Sequence, residues 1–139
     1  MTGGARGIGA AVAEALAAQG AAVLVTDVLD AIGEETVARI RKAGGRAEFV
    51  HHDVTSESNW GEAVAAAVAR LGGLSVLVNN AGIETAALIT QCEVDDFKRV
   101  MEVNVTGVFL GMKHQVTHMM NKGGGSIVNI SSIAARFMR

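Results

Sequence analysis

The sequence has no proline and no tyrosine, and its 139 residues include a single cysteine. Average usage would put about seven prolines in a chain of this length. One cysteine, Cys92, excludes an internal disulfide and agrees with a reducing, cytoplasmic setting. No apolar run approaches the roughly twenty residues of a membrane span. The longest stretch of small apolar residues, Ala63 to Ala69, is flanked by Glu62 and Arg70. There is no basic block: 12 Lys and Arg stand against 14 Asp and Glu, a net charge of −2, which removes the electrostatic footprint of a nucleic-acid binder. The N-terminus has no basic stretch followed by an apolar one, so no signal peptide is expected. The length suits one domain, residues 1–139, large enough to bury a core without disulfides or metal.

Glycine is abundant, at 17, and its distribution is informative. Helical stripes alternate with short apolar runs. Ile8, Val12, Ala15 and Leu16 form the first stripe, which stops at Gly20. Ala22 to Thr26 reads as a strand ending at Asp27. Asp30 to Ala43 reads as a helix with Val37 and Ile40 inward, and Ala47 to His51 as a second strand. Trp60, Val64, Val68 and Leu71 recur at helical spacing, with Thr55 or Ser56 as N-cap and Gly72-Gly73 as the stop. Leu74 to Val78 and Ser126 to Ile130 complete the strands. Between them Asp95 to Met120 reads as one long helix whose inner stripe is Phe97, Met101, Val105, Val108, Met112, Val116 and Met119. Strands that are continuously apolar are buried on both faces, which calls for helices on each side of a parallel sheet. The expected class is α/β, a doubly wound parallel sheet with ligands at the carboxyl ends of its strands, where Asp27, Asp53, Asn79-Asn80 and Ser131-Ser132 fall.

Thr2-Gly3-Gly4-Ala5-Arg6-Gly7-Ile8-Gly9 opens the first helix. A diphosphate must approach backbone N–H groups there without meeting side chains, and Gly3, Gly7 and Gly9 leave that room. A plain glycine-rich turn is the competing reading. The spacing resembles the TGxxxGxG of the short-chain dehydrogenase/reductase family. Asn79-Asn80-Ala81-Gly82 resembles that family's NNAG motif, Asn104 matches its helix asparagine, and Ser126 to Ser132 is similar to the strand leading to its catalytic serine. Asp27 to Asp30 and Gly107 to Lys113 look most like bacterial NAD-dependent hydroxysteroid and secondary-alcohol dehydrogenases.

The resemblance implies a Rossmann-like fold and an NAD cofactor held by Gly3, Arg6, Gly7, Ile8 and Gly9 of the loop, by Asp27, by Asp53 and Val54, and by Asn80, Ala81 and Gly82. Asp27 would accept from both adenosine ribose hydroxyls, whereas a 2′-phosphate would meet like charge costing about 1 to 4 kcal/mol. That favours NAD over NADP, although Arg6 could hold a 2′-phosphate. Asp53 would accept from the adenine amino group and Val54 would offer its backbone; a helix-initiating turn is the alternative for both. Asn79 reads as a tie between strands. The resemblance gives Ser132 the role of polarising an alcohol or ketone substrate oxygen and Asn104 that of ordering a water in a proton relay. A structural hydrogen bond is the alternative for Asn104, because a buried amide without partners costs on the order of 1–3 kcal/mol.

His114 and His118 stand four apart, but without a third ligand they read as a solvated helix face, and no metal is expected. The methionines of the long helix read as packing, and Cys92 as no nucleophile. The family's proton donor is a tyrosine in a YxxxK pair, and no tyrosine is present. Family members also carry a central strand just before the glycine loop, where this sequence has Met1 and Thr2. The expectation is therefore an incomplete sheet, lacking its first strand and its C-terminal strands and helices. Such a sheet would leave two unpaired strand edges, and the fragment would be inactive, from a parent enzyme that is a homo-oligomer.

Overall fold

In the computed structural model, which describes residues 1–132, helices and strands alternate along the chain. They are α1 (Gly7–Ala18), β1 (Ala22–Asp27), α2 (Asp30–Lys42), β2 (Arg46–His51), α3 (Glu57–Leu71), β3 (Val76–Asn79), α4 (Val94–Met101), α5 (Gly107–Asn121) and β4 (Ser126–Asn129). Local chemistry sets several boundaries. Ser56 caps α3 by accepting the Asn59 N–H at 3.4 Å, and Gly72 ends it in the left-handed region at φ 88°.

β1 and β2 pair in parallel, from Ala22 opposite Arg46 to Asp27 opposite His51. β3 and β4 do the same, from Val76 opposite Ser126 to Asn79 opposite Asn129. The two pairs are joined by Met1 and Thr2. Thr26 N donates to Met1 O at 2.9 Å, Met1 N to Leu24 O at 3.0 Å, and Thr2 N to Val78 O at 3.1 Å. The Rossmann-like, doubly wound parallel arrangement is thus present as two two-stranded sheets rather than one continuous one. Beyond Met1 the edges of β1 and β3 border a groove of about 550 Å³ lined by Leu16, Leu24, Val68, Leu71 and Val76. Among the described residues no helix is long and apolar enough to cross a membrane.

Two apolar clusters form the core. One joins Ala13 and Ala17 of α1 to Val23, Val25, Val37, Ile40 and Ala47; the other joins Val54, Trp60, Leu77, Leu110 and Met119. Val37 and Ile40 point inward as expected. The other helix faces differ from the sequence reading. On α1 the buried residues are Gly9, Ala10, Ala13 and Ala17, while Ile8 is 68% exposed. On α3 they are Trp60, Ala63 and Ala67, and Val68 is exposed. On α1 only glycine and alanine fill the contact, while on α3 Trp60 is buried as expected beside Ala63 and Ala67.

The long helix is interrupted. A π-helical turn, Glu102–Thr106, separates α4 from α5. Phe97, Met101, Val105 and Val116 of the expected inner stripe are exposed, and neither α4 nor the π-helical turn has a buried residue. The buried face of α5 is Gly107, Leu110, Gly111, Gln115 and Met119. Of the methionines, Met119 is core whereas Met101 and Met120 are exposed. Gly107 and Gly111 allow the approach: a Cβ there would stand 2.9 Å from Val54 Cγ2 and 2.7 Å from Trp60 Cη2.

Candidate functional site

The glycine loop, Asp27 and the Asn80–Gly82 segment meet where β1 and β3 end. Thr2 Oγ1 accepts from the backbone amides of Asn80 at 3.0 Å and Ala81 at 3.1 Å. In return Asn80 Nδ2 donates to Thr2 O at 3.1 Å and Gly3 O at 3.0 Å. The backbones touch: a Cβ on Gly3, which sits at φ 60°, would lie 2.8 Å from Ala81 Cα. Asn80 is therefore a tie from the third strand's end to the loop of the first helix.

The N-terminus of α1 carries no side-chain cap. Its N-cap, Arg6, makes no side-chain cap bond, and its first turn holds no acidic residue. By contrast, α2 has Asp30 and α3 has Glu57 in the first turn. The opening amides of α1 stay uncapped, with the positive end of the helix dipole behind them. Arg6, Gly7 and Ile8 are exposed, and around Gly7, at φ 57°, a Cβ would meet nothing within 4 Å. Exposed amides, open space and a first turn without an acidic residue are compatible with a diphosphate.

Asp27 is half-buried beside this loop. Its Oδ2 accepts the Ala5 N–H at 3.0 Å and its Oδ1 the Leu29 N–H at 3.2 Å. Each oxygen keeps a further lone pair for a ligand hydroxyl. Ala5 is held on its other side too. Its carbonyl accepts from Thr36 Oγ1 at 2.7 Å, a residue the sequence did not single out.

Asp53 and Val54 follow β2. Asp53 Oδ1 accepts from Thr55 N at 2.9 Å and Thr55 Oγ1 at 2.8 Å, the tight turn that precedes α3. Val54 O accepts from Trp60 Nε1 at 2.9 Å. Behind them His52 is 2% exposed, edge-on to Trp60 with ring centroids 4.3 Å apart. Its Nδ1 lies 3.0 Å from Thr26 Oγ1, while its buried Nε2 has no partner among the described residues. Burial above all lowers its pKa to about 4; the N-terminal ammonium and His51 push the same way, and Asp53 opposes them.

Asn104 sits in the π-helical turn. Its Oδ1 accepts Ile83 N at 2.9 Å and its Nδ2 donates to Ile83 O at 2.8 Å, so the side-chain amide holds the segment that follows Gly82. Asn79 ties strands, donating to Asn129 Oδ1 at 2.9 Å. Ile130 N donates to Asn79 O at 2.9 Å, which brings the start of the Ser131-Ser132 segment to the end of β3.

The two helix histidines part company. His114 Nε2 is 3.3 Å from Glu57 Oε1, which also takes Lys113 Nζ at 2.6 Å; the Lys113 hydrogen bond, chiefly, draws the Glu57 pKa down. His118 Nε2 is buried and unpartnered among the described residues, not solvated as expected. Among the described residues no three His, Cys, Asp or Glu side chains group to hold a metal.

Comparison with known proteins is consistent throughout. A family model described as short chain dehydrogenase matches residues 1–139. Trans-4-hydroxycyclohexanecarboxylate dehydrogenase of Sinomonas cyclohexanicum is 49% identical over 140 residues, covering 96% of this chain and 54% of that protein. The 3-alpha-(or 20-beta)-hydroxysteroid dehydrogenase of Mycobacterium tuberculosis (strain ATCC 25618 / H37Rv) is 46% identical over 133 residues, covering 96% of this chain and 50% of that protein. The crystal structure of a short-chain type dehydrogenase/reductase from Mycobacterium marinum superposes with a TM-score of 0.95 at 31% identity, over 100% of this chain and 55% of that one. The chain spans about half the length of the curated relatives it matches.

Proposed function

Since the chain belongs to the short-chain dehydrogenase family, we propose that it forms the cofactor-binding part of an NAD(H)-dependent oxidoreductase that interconverts a secondary alcohol and a ketone. The observation that carries the reading is the uncapped start of α1 held beside the Asp27 carboxylate, through the bond from Ala5 N to Asp27 Oδ2. The exposed amides of Gly7 and Ile8, with Gly9 buried behind them, take the diphosphate, with Arg6 alongside. Asp27 accepts from the adenosine ribose hydroxyls and repels a 2′-phosphate. Asp53 and the Val54 backbone receive the adenine, while Asn80, Ala81 and Gly82 line the path toward the nicotinamide. NAD, when bound, supplies the hydride acceptor. Ser132 orients the substrate oxygen, and Asn104 acts by holding Ile83 and hence the wall of that path.

The relatives named above act, by their names, on a hydroxycyclohexane carboxylate and on hydroxysteroids. They support a small-molecule alcohol or ketone as the substrate class. The exposed apolar side chains of Phe97, Met101, Val105 and Phe109 support a homo-oligomer. The 139 residues contain no tyrosine, so none of them supplies the phenol of the family's proton transfer, and they turn over substrate negligibly by themselves.

The test is calorimetric titration with NADH and NADPH of the protein and of its Asp27→Ala variant. NADH binds more tightly than NADPH, and the variant loses that preference. An unchanged preference overturns the charge argument, and tighter binding of NADPH than NADH by the parent favours an NADPH-dependent ketoreductase. No heat with either dinucleotide overturns the cofactor reading and favours a silent scaffolding protein.

A further inference from the structure

We propose that Thr36, in the middle of α2, is a positioning residue for the diphosphate loop; this rests on the dinucleotide reading above. Thr36 is completely buried. A hydroxyl has one proton to give, and here its destination is settled by the neighbours. Arg39 Nη2 donates to Thr36 Oγ1 at 2.9 Å, and a guanidinium only donates. Ala5 O, 2.7 Å away, only accepts. The Thr36 proton therefore points at the Ala5 carbonyl.

That carbonyl belongs to the residue whose N–H is held by Asp27 Oδ2 at 3.0 Å. Ala5 is 1% exposed, and both of its polar groups are satisfied by side chains from outside the loop. One clamp comes from the end of β1, the other from α2. Between them they fix the two peptide groups flanking Ala5, and with them the turn that aims the Gly7, Ile8 and Gly9 amides. A loop with freely rotating glycines would have to pay ordering entropy each time it bound an anion. The Thr36 hydroxyl removes part of that cost beforehand. Arg39 in turn is tied to Glu14 of α1 by Nε to Oε1 at 3.0 Å, so the clamp is anchored to the helix whose N-terminus it serves.

The experiment compares ADP binding by the protein and by Thr36→Val, Thr36→Ser and Arg39→Met, at a temperature where circular dichroism shows each to be folded. Thr36→Val keeps the volume and deletes the proton; its ADP dissociation constant rises about three- to tenfold, the scale of one hydrogen bond. Thr36→Ser restores the hydroxyl and binds ADP as the parent does. Arg39→Met, at a half-exposed side chain, keeps the fold and leaves the Thr36 proton unaimed, weakening ADP about twofold; it carries the test if Thr36→Val does not fold. A merely structural threonine would lower the melting temperature and leave ADP affinity unmoved among folded variants, and that result overturns the proposal. If the parent protein itself does not bind ADP, the dinucleotide reading has failed, which is a distinct outcome.

Discussion

Asn104 spends both ends of its side-chain amide on one residue: Ile83 N donates to its Oδ1 at 2.9 Å and its Nδ2 donates to Ile83 O at 2.8 Å. A helix side chain thereby does for an irregular segment what a neighbouring strand does in a sheet. Asn104→Ala removes both bonds at a position water can reach. The expected loss is about 1 kcal/mol of stability, with faster hydrogen exchange at the Ile83 amide. Exchange at Ile83 as slow as in the parent would contradict this.

Gly9 and Gly7 belong to the same loop but answer differently to alanine. A Cβ on Gly9 would overlap the Gly3 carbonyl, which is backbone and cannot swing aside. On Gly7 it would meet open space, and only the left-handed φ of 57° is unfavourable. Gly7→Ala is expected to cost about 1–2 kcal/mol. Gly9→Ala costs more and reshapes the loop. Thermal melting of the two variants checks the order, which a lower melting temperature for Gly7→Ala would reverse.

His52 makes stability depend on pH. Its pKa is lowered from 6.5 unfolded to about 4 in the fold, chiefly because burial disfavours the cation. The unfolded chain therefore binds the proton first as pH falls. The stabilising neutral state is complete above pH 6.5 and is lost progressively towards pH 4, by about 3 kcal/mol in all. Urea unfolding at stepped pH should show this slope in the parent and a shallower one in His52→Gln. Parallel slopes would remove His52 as its source.

Trp60 is the chain's one tryptophan, and its indole N–H holds the Val54 carbonyl. Trp60→Phe keeps an aromatic ring against His52 but leaves that carbonyl unpaired. It should destabilise the fold by about 1–3 kcal/mol. In the parent, unfolding should move Trp60 emission to longer wavelength as water reaches the ring. An emission maximum already at the solvated position would show that the ring is not buried.

How far the residues spoke for themselves varies with the range of the interactions involved. The order of helices and strands, the strand end at Asp27, the inward Val37 and Ile40, and the glycine loop were legible because apolar periodicity, caps and backbone freedom are local, whereas the third strand runs from Val76 to Asn79 rather than from Leu74 to Val78. The face of α1 and, apart from Trp60, that of α3 were not, because the closest contacts there select alanine and glycine rather than the larger aliphatic side chains. The break at Glu102–Thr106 was hidden by an apolar pattern that passes straight through it. Thr36 was invisible as well: nothing around it in the sequence announces a partner 31 positions away. Composition and local pattern were enough to establish an α/β chain whose first helix opens on a glycine-rich loop. Which side chains pin that loop and which helix faces meet were decided by packing between distant segments, since a hydrogen bond or a close approach exists only once both partners have been brought within a few ångströms.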